Sequence, residues 1–332
     1  YITPDRTECK YIQTGMPEDL HQTTWCTNQA IQFMESAKRY HLPWFFSLNY
    51  FDPHHPFDPP KEYLERYLSR LEELELPDYV EKEWETKPVF QKTDHFGAYD
   101  TEGLFPFEEM SPADHRYIRA AMIDLIDHQV GRLLDWLEIN EQLNDTLIIF
   151  TSDHGESLGD HGMYLKGPYF YESSVHVPLI FTCPGKIKGG RTSNALVELT
   201  DISETVCEAA GIQKAAGMQG MSLWPLLTGE RMLNKHRNNV YSEYYNSNIN
   251  HRSPLAFVTM VYDGRYKLCR VHDPEEKQQI TGELYDLAAD PGEHHNLYYE
   301  KDAEDVKILM LEKLCDRMAQ TCDPLPVRKA FW

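Results

Sequence analysis

Leu147-Ile148-Ile149-Phe150-Thr151-Ser152-Asp153-His154-Gly155-Glu156 decides how this chain is read. Its first four residues are β-branched, aliphatic or aromatic, and the run is too short for a helix, so it reads as a buried strand. Open α/β sheets bind ligands just past the carboxyl ends of their strands, where Asp153 and His154 stand. Neighbouring side chains on a strand point to opposite faces, so the two share a ligand only where the backbone turns, and Gly155 permits that turn. A carboxylate beside an imidazole suits a divalent ion with mixed oxygen and nitrogen donors, and the remaining donors must come from elsewhere. Read locally, the same residues also make a simple turn in which Asp153 caps Gly155 or Glu156.

Downstream lies Gly159-Asp160-His161-Gly162-Met163-Tyr164-Leu165-Lys166-Gly167. An ammonium at Lys166 near a metal would hold an oxyanion and stabilise the charge developing on it. Asp160-His161-Gly162 repeats the Asp-His-Gly pattern and reads as a loop turn. Glu172 and His176, four apart, read as a structural pair. Val177–Thr182 reads as a further strand with its proline at the start. Asp201 and Glu204 open a short helix that Gly211 closes.

Upstream, Ser111-Pro112-Ala113-Asp114 caps a long helix with an apolar stripe of Ile118, Met122, Leu125, Ile126, Leu133, Leu134 and Leu137. Before it, Thr27–Tyr40 reads as a helix stopped by Pro43, and Trp44–Phe51 as a strand. That strand leaves through Asp52-Pro53-His54-His55-Pro56-Phe57. A histidine at this exit is suited to protonating a leaving group, because imidazoles titrate near neutrality. Residues 61–110 are acidic and aromatic, and read as a solvated surface excursion with one helix at Leu64–Leu74. Past Gly229 the pattern changes. Phe257–Tyr262 and Tyr266–Val271 flank Asp263-Gly264 as a hairpin, Leu284–Leu287 adds a strand, and Val306, Met310, Leu314 and Met318 mark a covering helix.

The fold class is therefore α/β, with a small C-terminal antiparallel sheet plus helix. The division falls between residues 1–229 and 230–332. The 332 residues carry 32 basic and 53 acidic side chains, a net charge of -21, which disfavours nucleic acid and anionic membranes as partners. No apolar run is long enough to span a bilayer. The seven cysteines are odd in number and form no C-x-x-C pair, which argues against a zinc cluster or a disulfide scaffold.

Taken in order, Pro53-His54-His55-Pro56-Phe57, Thr151–Glu156, Leu158–Gly162 with Lys166, Tyr171-Glu172, Val177–Ile180, Glu283–Leu287, Asp290–Glu293 and Asn296-Leu297 resemble the sulfatase family of the alkaline phosphatase-like superfamily. The resemblance runs from about residue 27 to the end and implies that superfamily's sheet flanked by helices. It implies Asp153 and His154 as ligands of a divalent metal, usually calcium, with magnesium or manganese as alternatives. It implies Lys166 as a ligand of the sulfuryl oxygens, and His54 as a sulfate ligand or proton donor to the leaving alcohol. The substrate would be a small-molecule or carbohydrate sulfate ester. Many relatives have asparagine where His154 stands; histidine there is similar to phosphonate and phosphodiester hydrolases of the superfamily.

The family's nucleophile is a formylglycine made from C-x-P-x-R or S-x-P-x-R, and an Asp-Asp pair adds metal ligands. Neither motif occurs in this sequence; Cys322-Asp323-Pro324-Leu325-Pro326 has proline where arginine is required. The chain thus reads as the C-terminal two-thirds of a sulfatase, with formylglycine expected in a preceding segment. Alone it would be inactive and would present unpaired strand edges and apolar faces, completed by that segment or by another chain. The rival reading is a non-catalytic relative used for binding. Substrate choice is expected from residues 61–110 and from the loop Tyr244–Arg252, with His251 and Arg252 facing a sugar acid or a second sulfate.

Overall fold

In a computed structural model the described residues are 16–54, 57–68, 70, 73, 77–97, 112–164, 166–245, 256–273, 276 and 279–322. Eight α-helices are described: α1 Gln22–Tyr40, α2 Lys61–Leu68, α3 Val89–Gly97, α4 Pro112–Ile139, α5 Glu172–Val175, α6 Thr200–Ala209, α7 Trp224–Leu227 and α8 Glu304–Thr321. The strands are β1 Ile148–Thr151, β2 Leu179–Thr182, β3 Val240–Tyr245, β4 Phe257–Tyr262, β5 Tyr266–His272 and β6 Gly282–Asp286. The chain divides into two compact units, one of residues 1–77 and 107–146, the other of 78–106 and 147–332.

In the first unit α1 begins five residues before the expected Thr27. His21 caps it by accepting a hydrogen bond from Thr23 N, and Lys38 and Arg39 sit in the last turn, where the helix dipole favours cations. Thr23, Thr27, Ala30, Met34 and Ala37 are its buried face, at three- and four-residue spacing. Tyr63 of α2 packs with Ala121 and Leu125 of α4. The expected cap at Ser111, the side chains of Asp114 and Ile118, and His55 lie outside the described residues.

The expected strand Trp44–Phe51 is absent from the described ladders. Its even-numbered residues are half-buried and its odd-numbered ones exposed, the alternation of a strand, but no described strand pairs with it. Trp44 and Phe46 pack on Phe33, while Phe45 is 70% exposed. A strand needs a hydrogen-bonded neighbour as well as a pattern. β1 departs from its expectation too: it pairs antiparallel with β2 alone, with Phe150 opposite Ile180, and neither residue is buried. Two paired strands with no described third leave an apolar face uncovered.

In the second unit β3-β4-β5-β6 form an antiparallel meander. One face packs Val261, Leu268 and Leu284 under Met310 and Leu314 of α8. The other packs Val258, Met260, Cys269 and Val271 against Phe90, Tyr169 and Tyr171. Burial on both faces explains the nearly unbroken apolar runs of β4 and β5. The β4–β5 turn is the expected Asp263-Gly264, with Gly264 at φ 96°.

The surface excursion is corrected by the structure. Residues 78–97 belong to the second unit, and Glu83, Lys87, Phe90, Gln91, Asp94 and His95 are buried there. Lys87 Nζ donates to the Tyr285 hydroxyl at 2.6 Å and to Glu293 O at 2.9 Å, and Gln91 Nε2 bonds both Glu283 carboxylate oxygens at 3.1 Å. Polar composition disguised a segment whose charges are neutralised by partners about two hundred residues away. The expected helix Leu64–Leu74 is α2, displaced toward the N-terminus.

Candidate functional site

The candidate centre is the exit of β1. Gly155 N donates to Ser174 O at 2.7 Å and Glu156 N to Ser173 O at 3.0 Å, so the backbone of α5 holds the turn. A β-carbon at Gly155 would collide with Ser173 O, which makes glycine a requirement of that approach. With both amides engaged by α5, Asp153 caps neither Gly155 nor Glu156. Its Oδ1 accepts instead from His154 N at 3.0 Å.

His154 Nδ1 lies 2.8 Å from Gly155 O. A carbonyl only accepts, so the proton sits on Nδ1 and the lone pair on Nε2. That lone pair faces Asp153 Oδ2 at 3.6 Å. Two neighbouring ligands of calcium, at bond lengths of about 2.4 Å and an angle of about 90°, are about 3.4 Å apart, so the two groups fit a shared ion. The Asp153 side chain is 85% exposed, open to solvent-borne ligands.

Lys166 Nζ lies 3.9 Å from Glu156 Oε2, both groups largely buried. Burial pushes the Glu156 carboxyl up to about 7 against the lowering pull of Lys166, and its Oε1 has no hydrogen-bond partner. His54 lies in the first unit, its ring 4.7 Å from that of Phe51. The structure brings Asp153 to His154 and Lys166 to Glu156. His251, Arg252 and residues 323–326 lie outside the described residues.

Behind the turn stands a buried lysine that sequence reasoning missed. Lys267 Nζ, on β5, donates to Glu172 Oε1 at 2.6 Å and Phe170 O at 3.0 Å, and lies 2.9 Å from Glu293 Oε1. Glu293 Oε2 in turn accepts from Glu172 N at 2.7 Å. Burial opposes the charge of Lys267, but the Glu293 and Glu172 carboxylates hold its pKa above the ordinary lysine value. This bracket fixes the start of α5, whose next two carbonyls hold Gly155 and Glu156. A lysine at the second position of the β5 strand pattern was the one available signal. The expected Glu172–His176 pair is present at 2.8 Å.

His161 is not a plain turn residue. It is buried, stacks on Tyr171 at 3.6 Å and lies 3.0 Å from Glu83 Oε2, which also faces His294 Nδ1 at 3.2 Å. Glu83, His161 and His294 are close enough to hold an ion. Lys87 lies 3.8 Å from the same carboxylate oxygen, so the group is charge-balanced without one.

Comparison with known proteins places the chain. The family model "Sulfatase" matches residues 5–212, and "N-sulphoglucosamine sulphohydrolase, C-terminal" matches residues 159–320. The chain belongs to the sulfatase family of hydrolases. It is 31% identical to an arylsulfatase of Clostridium perfringens over 69% of this chain and 45% of that protein. It is 30% identical to the uncharacterized sulfatase YidJ of Escherichia coli over 91% of this chain and 56% of that protein. The chain thus spans about half the length of these curated relatives. The phosphonate monoester hydrolase of Agrobacterium radiobacter superposes with a TM-score of 0.76 at 27% identity, covering 92% of this chain and 62% of that one. A structure solved with its substrate D-glucosamine-2-N,6-O-disulfate superposes at 0.74 with 22% identity, covering 93% of this chain and 72% of that one, a likeness of fold. The alkaline phosphatase-like fold expected from the sequence is therefore present.

Proposed function

We propose that this chain carries the metal-binding and sulfate-gripping half of a sulfuric ester hydrolase. The observation that carries the reading is the pair at the β1 exit, a lone-pair nitrogen and a carboxylate oxygen 3.6 Å apart and held by α5. Asp153 and His154 would hold a divalent metal, calcium first, which supplies charge against the sulfate oxygens. Lys166 exchanges its loose contact with Glu156 for a sulfuryl oxygen and stabilises the charge that gathers there. His54 donates a proton to the departing alkoxide. The nucleophile comes from outside this sequence, which has no formylglycine motif. Similarity to an N-acetylglucosamine-6-O-sulfatase of Bacteroides thetaiotaomicron, 30% identical over 71% of this chain and 42% of that protein, supports a carbohydrate sulfate as the substrate class. We also retain the division into a catalytic domain through residue 229 and a C-terminal α+β subdomain.

A second reading, phosphonate monoester or phosphodiester hydrolysis, draws on His154 and on the similarity to the phosphonate monoester hydrolase. Competing aryl sulfate and aryl phosphonate turnover by the natural gene product separates the two. Higher kcat/KM for the sulfate supports the first reading, and higher kcat/KM for the phosphonate replaces it. No turnover of either points to a non-catalytic relative.

A further inference from the structure

The first unit contains a second arrangement of metal-ligand groups that this hydrolysis does not use. His21, at the N-terminus of α1, meets Asp52 and Asp58, which bracket the turn carrying His54. One ligand atom from each lies within 4.8 Å of the others. Thr23 N donates to His21 Nδ1 at 3.3 Å, which leaves the lone pair on that nitrogen. Nδ1 also lies 3.6 Å from Asp52 Oδ2, with both side chains at most 1% exposed. Thr23 satisfies both atoms, its hydroxyl donating to Asp52 Oδ2 at 2.5 Å as its amide donates to Nδ1, so an ion seated between them would take the Nδ1 lone pair from Thr23 N.

The remaining valences are open. Asp52 Oδ1 and Asp58 Oδ1 are buried without a hydrogen-bond partner, and so is His21 Nε2. Among the described residues no lysine or arginine pairs with either carboxylate. In the second unit the buried Glu83 and Glu293 each meet a lysine, and the buried Asp201 meets Arg237. Burial lifts both Asp52 and Asp58 above the ordinary aspartate value, against the lowering pull of the Thr23 hydrogen bond and of His21 on Asp52 and of His21 on Asp58. Asp58 is half-buried, which gives an ion a way in.

We propose that His21, Asp52 and Asp58 form a structural site for a zinc-class divalent ion that ties the start of α1 to both ends of the His54 turn. One imidazole and two carboxylates are a donor set that zinc accepts, and the 3.6 Å ligand separation matches the about 3.4 Å of tetrahedral coordination. The site is independent of Asp153 and His154, and stands whether the enzyme prefers sulfate or phosphonate.

The test is zinc titration of the metal-stripped full chain by calorimetry, with cobalt(II) as a visible probe of coordination. The variants are Asp58→Asn, His21→Gln, Asp153→Asn and His161→Gln, each checked for native circular dichroism. The wild-type chain is expected to bind zinc at a site that weakens by about 100-fold or more in Asp58→Asn and persists in Asp153→Asn and His161→Gln. Cobalt bound there should show the intense d–d bands of a four- or five-coordinate ion, lost in Asp58→Asn. Asp58→Asn keeps size and leaves the helix cap intact, so it reports even where His21→Gln fails to fold. Wild-type affinity in Asp58→Asn, no zinc binding by the wild-type chain, or binding abolished by His161→Gln instead, would overturn the proposal.

Discussion

Replacing Lys267 with methionine tests how the C-terminal sheet supports the candidate centre. The lysine is 1% exposed and lies within 3.0 Å of Glu172 Oε1, Glu293 Oε1 and Phe170 O. Methionine fills the space but leaves the buried Glu293 carboxylate, and the one-third exposed Glu172 carboxylate beside it, without their cation. Breaking a buried ion pair from one side costs about 3–5 kcal/mol, and that range is the expected loss near pH 8. The loss depends on pH with a definite sign. Burial already holds the Glu293 pKa above its ordinary 4.5, against the lowering effect of Lys267, and removing the lysine raises it further. A carboxyl with a raised folded pKa binds protons more tightly folded than unfolded. Its penalty is therefore absent below the unfolded value and grows as pH rises toward the folded value. Urea unfolding of wild type and Lys267→Met, followed by fluorescence and circular dichroism, should show the deficit shrinking between about pH 8 and about pH 5. Adding Glu293→Gln should recover about 1–3 kcal/mol of it at the higher pH. A deficit below about 1 kcal/mol, or one equal at both pH values, would refute the bracket's role.

Gly155→Ala should cost about 1–3 kcal/mol, because its methyl collides with Ser173 O, and calcium affinity should fall with it; unchanged calorimetric binding would contradict the held turn. Glu83 and His294 should give a stability window. Burial raises the Glu83 pKa, but hydrogen bonding to His161 and the charges of His161 and Lys87 bring it below its usual 4.5, so its contribution is lost as pH falls through the folded value. Burial lowers His294, but Asp78 and Glu83 raise it above 6.5, so its contribution is lost as pH rises through the folded value. Thermal unfolding of Glu83→Gln against wild type should therefore differ most between those two values, and a flat difference would count against the network. Lys166→Ala should lower kcat by about 10²–10³-fold. His54→Ala should lower kcat by about 10²–10⁴-fold for an alkyl sulfate but little for 4-nitrophenyl sulfate, whose leaving group needs no proton. Equal losses on both esters would remove His54 as the acid.

How much was legible depended on whether a segment's partners lie nearby. β4, β5 and their Asp263-Gly264 turn could be read because alternation and turn chemistry are local signals. The exit of β1 could be read because strand, carboxylate, imidazole and glycine follow one another directly. β3 was missed, since it contains Ser242 and Glu243 and, among the described strands, pairs only with β4 at the edge of the sheet. Residues 78–97 looked like solvated surface because their polar side chains find partners far away in sequence: Glu83 meets His161 and His294, Lys87 meets Tyr285 and the Glu293 carbonyl, and Gln91 meets Glu283. Trp44–Phe51 alternates in exposure as a strand does, but a pattern does not supply a partner strand. Lys267 and His161 were hidden for the same reason: their roles exist only in contacts with Glu172, Glu293 and Glu83.

The central claim is that Asp153 and His154 hold the metal on which sulfate ester hydrolysis depends. The most direct measurement is kcat/KM of the natural gene product for an aryl sulfate and an aryl phosphonate, after chelation, after calcium is restored, and in Asp153→Asn. The account predicts preference for the sulfate, loss on chelation, recovery with calcium, and a loss of at least about 100-fold in Asp153→Asn that calcium does not repair. Preference for the phosphonate, or sulfate turnover that survives both chelation and Asp153→Asn, would contradict it.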